Sequence, residues 1–321
     1  MTIAQARSAP LVAIVGATGT QGGSVIKALL ESDKPYRIRG FTRDVSKAAA
    51  EALKKQGVEM VAVNLVVENN EGVAKAFAGA DYVFLVTNFW EHMDTTRESS
   101  EGKMLIDAAK AAGVKGIIWS GLQSPKNISE GKITRVVHFD GKASVSEYGR
   151  VSGVPFVVVQ AGIYASSLLE PAIARSMLEK QPDGTYVLPW AVRPSTIVPL
   201  IDMANDYGLY VRAVLERPVF PDGLDVYTSS ENVTAEEMAR QLSEGTGKKV
   251  TFKQITPEEF IKPLETLGFP PVATDSLQGF WEYFDEFGYY GGQVTGLEGL
   301  ARPTRTFAEF VKGSDWSEVF V

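Results

Sequence analysis

The run "LVAIVGATGTQGGSVIKALLES", residues 11–32, leaves little freedom to the fold. Five apolar residues without alternation lead into a glycine-rich turn, and Val25, Ile26, Leu29 and Leu30 then recur at helical spacing. The first part reads as a strand buried on both faces, and the second as a helix with one buried face. The three glycines have separate tasks. Gly16 permits the tight turn, Gly19 lets backbone approach a phosphate closely, and Gly22 lets helix pack on strand. Amides at the start of such a helix face the pyrophosphate of a dinucleotide.

Strand and helix continue to alternate through "RIRGFTR", "SKAAAEALKKQG", "VEMVAVNL", "EGVAKAFAGA", "DYVFLVT", "EGKMLIDAAKAAG", "VKGIIWSG", a helix around His138 and "PFVVVQAG". Such alternation predicts a parallel, doubly wound α/β sheet of the Rossmann type, over residues 1–162. Residues 163–321 are less regular and are expected to form a second, smaller α/β lobe, with segments such as "GLDVYTSS" returning to the main sheet. Helix boundaries are marked by Ser46 as an N-cap with Gly57 as a stop, by Thr234 with Glu237, and by Thr256, Pro257 and Glu259.

The GxxGxxG spacing resembles the extended and atypical branches of the short-chain dehydrogenases/reductases. Cofactor choice is read where the second strand ends, at "FTRD". Thr42 stands where an acidic residue would hold a ribose 2′-hydroxyl, and Arg43 and Lys47 can take a 2′-phosphate by charge-assisted hydrogen bonds, which favours NADP(H) over NAD(H). The alternative leaves both cations on a solvated face with Asp44 as partner. Because ligands sit at the carboxyl ends of parallel strands, Asn64 and Leu65 are expected to flank the adenine, and Thr87, Asn88 and Phe89 to line the path toward the ribose.

A net charge of −7 argues against direct nucleic-acid binding, which needs a basic face to displace counterions. The chain has no cysteine, so disulfides and thiolate sites are excluded, and its two histidines offer little to a metal. The N-terminal "MTIAQARSAP" lacks the apolar core of a signal peptide, and no apolar run is long enough to span a bilayer. A soluble cytoplasmic protein, with nuclear residence also open, is the expectation.

The segment "HFDGK" carries the chemistry in question. Catalytic short-chain dehydrogenases place a tyrosine and a lysine four apart on one helical face, the ammonium lowering the phenol pKa for proton exchange. Here Lys142 is present and His138 takes the tyrosine position; no tyrosine in the chain has a lysine four residues on. Imidazole can donate a proton near neutral pH, so His138 is a candidate acid, although a helix-face histidine is more often structural. Ser120 and Ser124 straddle the place of the usual serine. In "FWEYFDEFGYYGG", Phe280, Phe284 and Phe287 form a stripe that reads as core, or alternatively as a lid or docking face preceding Tyr289 and Tyr290. His92 reads as a surface or satisfied loop residue.

Taken together, "VAIVGATGTQGGSVIKALL", "FTRD", "DYVFLVTNFWE", "WSGLQS", "HFDGKASVSEYGRVSGVPFVVVQAGIYASSLL" and "NVTAEEMARQL" resemble the NmrA-like family of atypical short-chain dehydrogenases. The resemblance implies a Rossmann domain with a smaller lobe, binding of NADP and in some members NAD, and regulatory members that respond to the cofactor's redox ratio and bind protein partners, transcription regulators among them. It also implies a pyrophosphate held by Gly16, Thr18, Gly19, Thr20, Gln21 and Gly22, a 2′-phosphate held by Arg43 and Lys47, and Lys142, Gly162, Ile163, Tyr164 and Ser167 near the ribose and nicotinamide. The chain departs from the family pattern at "NLVVEN", where acidic or amide residues are common. Two readings follow: a non-catalytic cofactor sensor acting on a protein partner such as a transcription regulator or signalling protein, and an NADPH-dependent reductase of a small carbonyl, quinone or aromatic substrate that uses Lys142, with or without His138.

Overall fold

A computed structural model describes residues 8–170 and 177–320; most of the stretch read for a signal peptide, residues 1–7, lies outside them. Strand and helix alternate as β1 (Leu11–Ile14), α1 (Thr20–Leu30), β2 (Arg37–Thr42), α2 (Ala48–Lys55), β3 (Glu59–Ala62), α3 (Asn70–Phe77), β4 (Tyr82–Leu85), α4 (Phe89–His92), α5 (Thr95–Ala111), β5 (Gly116–Trp119), α6 (Pro125–Ile128), α7 (Val137–Arg150) and β6 (Phe156–Gln160). The order then continues with β7 (Ile163–Tyr164), β8 (Glu179–Lys180), β9 (Tyr186–Trp190), β10 (Ile197–Ile201), α8 (Met203–Leu215), β11 (Asp225–Tyr227), β12 (Glu231–Thr234), α9 (Ala235–Thr246), β13 (Val250–Gln254), α10 (Pro257–Thr266), α11 (Pro271–Phe287) and α12 (Phe307–Gly313).

Seven strands form one parallel sheet in the order β3-β2-β1-β4-β5-β6-β11. The expected doubly wound α/β architecture is therefore present, and "GLDVYTSS" supplies its last strand. The absence of alternation in the strand sequences has a direct cause: both faces are covered. On β1, Val12 and Ile14 pack toward α1 and α8, whereas Leu11, Ala13 and Val15 join Phe77, Leu105 and Val145 from α3, α5 and α7. Two three-stranded sheets, β12-β10-β7 and β13-β9-β8, pack with α9 to α12 around a separate aromatic core that contains Trp190, Trp281, Phe280, Phe284 and Tyr289. The Phe280 stripe is core.

Caps follow the sequence signals with two corrections. Thr256 and Glu259 close a full capping box with Pro257 in the first turn, and Thr234 accepts from the Glu237 amide, but the Glu237 carboxylate turns to Arg240 instead of back to the cap. Ser46 is not the N-cap of α2; that position is Lys47, and Ser46 gives its amide and hydroxyl to Asp44 in a turn of its own. Ser46 is thereby held as a donor in an Asp44 turn instead of presenting its oxygen as an acceptor to the first amides of α2.

Helices α1 and α8 approach closely at Gly208. The Gly208 amide donates to Ser24 Oγ at 2.9 Å, and a β-carbon at Gly208 would lie 2.0 Å from the Ser24 carbonyl oxygen. Both colliding atoms belong to backbone held on the sheet, so nothing nearby can rotate away. Gly208→Ala is expected to cost about 3 kcal/mol and lower the thermal midpoint by several degrees. Gly23→Ala, whose β-carbon would meet its nearest neighbour at 3.7 Å, is the control that should not lower it.

Candidate functional site

The strand order reverses between β1 and β4, and a crevice of about 550 Å³ opens there at the carboxyl ends of the strands. Gly16, Thr18, Gly19, Thr20, Gln21 and Gly22 form one wall. Gly16 has φ +68°, a conformation that side chains rarely adopt, and a β-carbon on Gly22 would stand 2.2 Å from the Gly16 carbonyl oxygen. The turn is thus folded tightly under the start of α1. No side chain caps that helix and its first turn carries no acidic residue, so its leading amides and dipole are left for an anion. Gln21 Nε2 donates to the Tyr164 hydroxyl at 2.5 Å, while Gln21 Oε1 is buried without a hydrogen-bond partner. Burial pushes the Tyr164 phenol above its usual pKa, with the Gln21 bond opposing. The uncapped helix start fits the pyrophosphate of a dinucleotide, and the orphaned acceptor fits a donor such as a ribose hydroxyl.

The opposite end is lined by Thr42, Arg43, Asp44, Lys47, Asn64, Leu65, Val66, Thr87, Asn88, Glu91 and His92. Arg43 and Lys47 are therefore together in the crevice, and Asn64, Leu65, Thr87 and Asn88 reach it as topology requires. His92 is at the crevice, not apart from it. Arg43 does not pair with Asp44: its Nη1 meets Glu91 Oε1 at 2.5 Å, from α4 on the far side of β1. Phe89, Lys142, His138, Gly162, Ile163 and Ser167 do not line this crevice. Phe89 is buried against Trp90 and His138; Gly162 sits where a β-carbon would be 2.5 Å from the Pro199 carbonyl oxygen; Ile163 begins β7, and Ser167 lies in the turn Ala165–Leu169.

Lys142 is committed to protein partners. Its Nζ donates to the Thr87 carbonyl at 2.8 Å, to Thr87 Oγ1 at 3.1 Å and to Glu98 Oε1 at 2.8 Å, and it lies 5.6 Å above the Trp119 ring. Glu98 is 3% exposed; its Oε1 also accepts from the Thr87 hydroxyl at 2.7 Å, and its Oε2 has no partner. An ammonium has three protons, and all three are engaged.

His138 is enclosed by Phe89, Trp90, Phe139 and Phe280, and its Nδ1 lies 2.5 Å from Ser276 Oγ on α11. Its own amide donates to the same oxygen at 3.3 Å. Burial, aided by the Lys142 charge, pushes its pKa from 6.5 down to about 3. At neutral pH it is an uncharged ring joined to the second lobe. Ser120 is buried at the end of β5, and Ser124 caps α6.

Glu98 and Glu91 were not singled out by sequence reasoning. Glu98 had a readable signal, a carboxylate on the same α5 face as Gly102, Leu105 and Ala109, all buried. Glu91 had none, since its meeting with Arg43 depends on the sheet order.

The fold and the crevice define a Rossmann-type α/β protein with a nucleotide-type crevice at the switch point of its sheet. The chain belongs to the NmrA-like family, whose sequence pattern matches residues 8–317, as the motifs implied. An NmrA-like family domain-containing protein of Dictyostelium discoideum is 27% identical over 304 residues, covering 94% of this chain and 96% of that protein. An NAD(P)H azoreductase of Xenophilus azovorans is 28% identical over 302 residues, covering 94% and 97%. Solved structures of NmrA, a negative transcriptional regulator, in complex with NAD and with NADP superpose with TM-scores of 0.77 and 0.76 at 22% identity, covering 96% of this chain and 95% of that one.

Two expectations concern the paired charges and the buried ring. Lys142→Met should destabilise by about 3 kcal/mol because Glu98 is left charged and buried, whereas Lys142→Met combined with Glu98→Gln should recover at least half of the loss. Urea unfolding of wild type, both single variants and the double variant measures this; additive losses would refute the coupling. For His138 the folded pKa lies below the unfolded one, so the unfolded chain binds the extra proton between pH 6.5 and about 3. Its contribution is complete above pH 6.5 and is lost as pH falls through that window, by at most roughly 1.4 kcal/mol per pH unit. His138→Gln should flatten the acid limb of stability against pH relative to wild type.

Proposed function

We propose that this protein binds NADP(H) in the crevice between β1 and β4 and acts as a non-catalytic redox-cofactor sensor on a protein partner such as a transcription or signalling regulator, in the cytoplasm or nucleus. The observation that carries the reading is the state of Lys142. A lysine that serves as acid or base must offer its ammonium to a reactant, and here the buried Glu98 carboxylate and both oxygens of Thr87 take all of its protons. His138, neutral and bound to Ser276, does not supply the missing proton donor. Without such a group, bound cofactor serves as a ligand. A ligand shifts a protein between states only by its difference in affinity for them, and the crevice adjoins elements that contact the second lobe through His138.

Binding would rest on this chain's own groups. The uncapped start of α1 and the glycine turn would hold the pyrophosphate, Arg43 and Lys47 the 2′-phosphate, Asn64 and Leu65 the adenine, and Thr87 and Asn88 the ribose side of the crevice. Lys142, Gly162, Ile163, Tyr164 and Ser167 would lie toward the nicotinamide end. When bound, the cofactor supplies a hydride donor or acceptor.

A second reading, an NADPH-dependent reductase of a carbonyl, quinone or aromatic small molecule, is favoured by the azoreductase relative. It requires Lys142 to leave Glu98 when substrate enters. Calorimetric titration with NADP, NADPH, NAD and NADH, followed by NADPH absorbance in the presence of quinones, aldehydes and an azo dye, separates the two. We expect Arg43→Ala to weaken NADP(H) binding about tenfold, the value of one charge-assisted hydrogen bond, with little change for NAD(H) and no turnover on any compound. Turnover that disappears in the Lys142→Met/Glu98→Gln variant, with binding retained, would establish the reductase instead.

A further inference from the structure

Acidic groups near the end of β2 normally decide between a ribose hydroxyl and a phosphate, and here the strand ends on Thr42, with Asp44 turned to Ser46 and not to Arg43. Thr42 stands at the strand end with its hydroxyl 3.3 Å from the Asp44 amide, and Asp44 turns one carboxylate oxygen, Oδ1, to the amide and hydroxyl of Ser46 at 2.9 and 2.6 Å, in a turn that does not pair it with Arg43. The charge facing Arg43 comes from elsewhere. Glu91 projects from α4, after β4, and its 2.5 Å bond to Arg43 joins the ends of two strands that flank β1. The bridge therefore crosses the mouth of the crevice. Other ionisable groups at the mouth are Asp44, Lys47, His92, with Nε2 4.0 Å from Glu91, and Glu101, which is bound to Arg97 at 2.9 Å.

We propose that Glu91 is the positioning residue that sets the preference of this crevice between phosphorylated and unphosphorylated dinucleotides, by competing with the 2′-phosphate for Arg43. This inference rests on the dinucleotide reading above. Both partners are accessible, Arg43 at 72% and Glu91 at 39%, so the bridge is weak and exchangeable and its opening is not a barrier to binding. A phosphate that takes Arg43 must displace the carboxylate and then remain near its charge. A nucleotide with a free 2′-hydroxyl meets no such repulsion. Glu91 is thus an element that acts against one ligand more than it favours the other, and it lowers the selectivity that Arg43 and Lys47 would give alone.

The test uses the full chain and the probes 2′,5′-ADP and 5′-ADP, which differ in the phosphate of interest, together with NADP and NAD. Glu91→Gln keeps the size of the side chain and removes its charge. The expected result is that Glu91→Gln binds 2′,5′-ADP and NADP about fivefold more tightly than wild type, with 5′-ADP and NAD unchanged, the gain shrinking at roughly 0.5 M salt. The same substitution made in Arg43→Ala should give less than half of that gain, because competition for Arg43 is then absent and only the direct repulsion between carboxylate and phosphate is left to relieve. Equal changes for both nucleotide classes, or none, would overturn the role of Glu91 while leaving dinucleotide binding intact. A wild-type chain that binds none of the four nucleotides would remove the dinucleotide reading and this inference with it.

Discussion

One ammonium and one carboxylate, both taken out of water, fix the centre of the molecule. Lys142 on α7, Glu98 on α5 and Thr87 after β4 meet within hydrogen-bond distance, and Trp119 at the end of β5 closes the cluster by donating to the Lys142 carbonyl at 3.2 Å. Either charge buried without the other would cost several kcal/mol in desolvation. The pair therefore sets the register of α7 against α5. Gly141, beside the lysine, has no room for a side chain, since a β-carbon there would lie 2.7 Å from Glu98 Oε2.

The register of α7 has consequences one turn away. It turns His138 toward α11, where Ser276 Oγ accepts from its amide and is hydrogen-bonded to its ring, and toward Phe89 and Trp90 of α4. The sequence α4, His138, α11 is thus a continuous packed path from the crevice mouth, where Glu91 holds Arg43, into the aromatic core of the second lobe. Tyr289 and Tyr290 add a second attachment. Their buried hydroxyls donate to the carbonyls of Ala161 and Thr228, at the carboxyl ends of β6 and β11. A cofactor-dependent change at the mouth would reach the second lobe through packed contacts of this kind, which have few intermediate arrangements.

The elements of the main sheet were legible because their periodicities are local. Leu11–Val15 is apolar without interruption since helices cover both faces of β1, and the glycine turn is legible since each glycine answers a steric need within a few residues of itself. The NmrA-like resemblance was legible for the same reason, being carried by contiguous motifs. Ser46 does not cap α2 because Asp44, two residues before it, takes its amide and hydroxyl in a turn, and a serine before a helical run reads the same in either role. Lys142 was found by its spacing, but the partner that occupies it was not, because Glu98 lies 44 positions away.

The sequence alone determined the doubly wound α/β architecture, the glycine turn under the start of α1, the basic pair Arg43 and Lys47, and the absence of a tyrosine before Lys142. The turn, the basic pair and the missing tyrosine each depend on residues within a turn or two of one another, and the architecture on a succession of such local patterns. Tertiary structure decided what those groups face. That Arg43 meets Glu91, that Lys142 is neutralised by Glu98, and that His138 is an uncharged link to the second lobe follow from strand order and helix packing. Charge and hydrogen-bond partners are set by distance in space, and distance in space between separated segments is fixed only when the whole sheet closes.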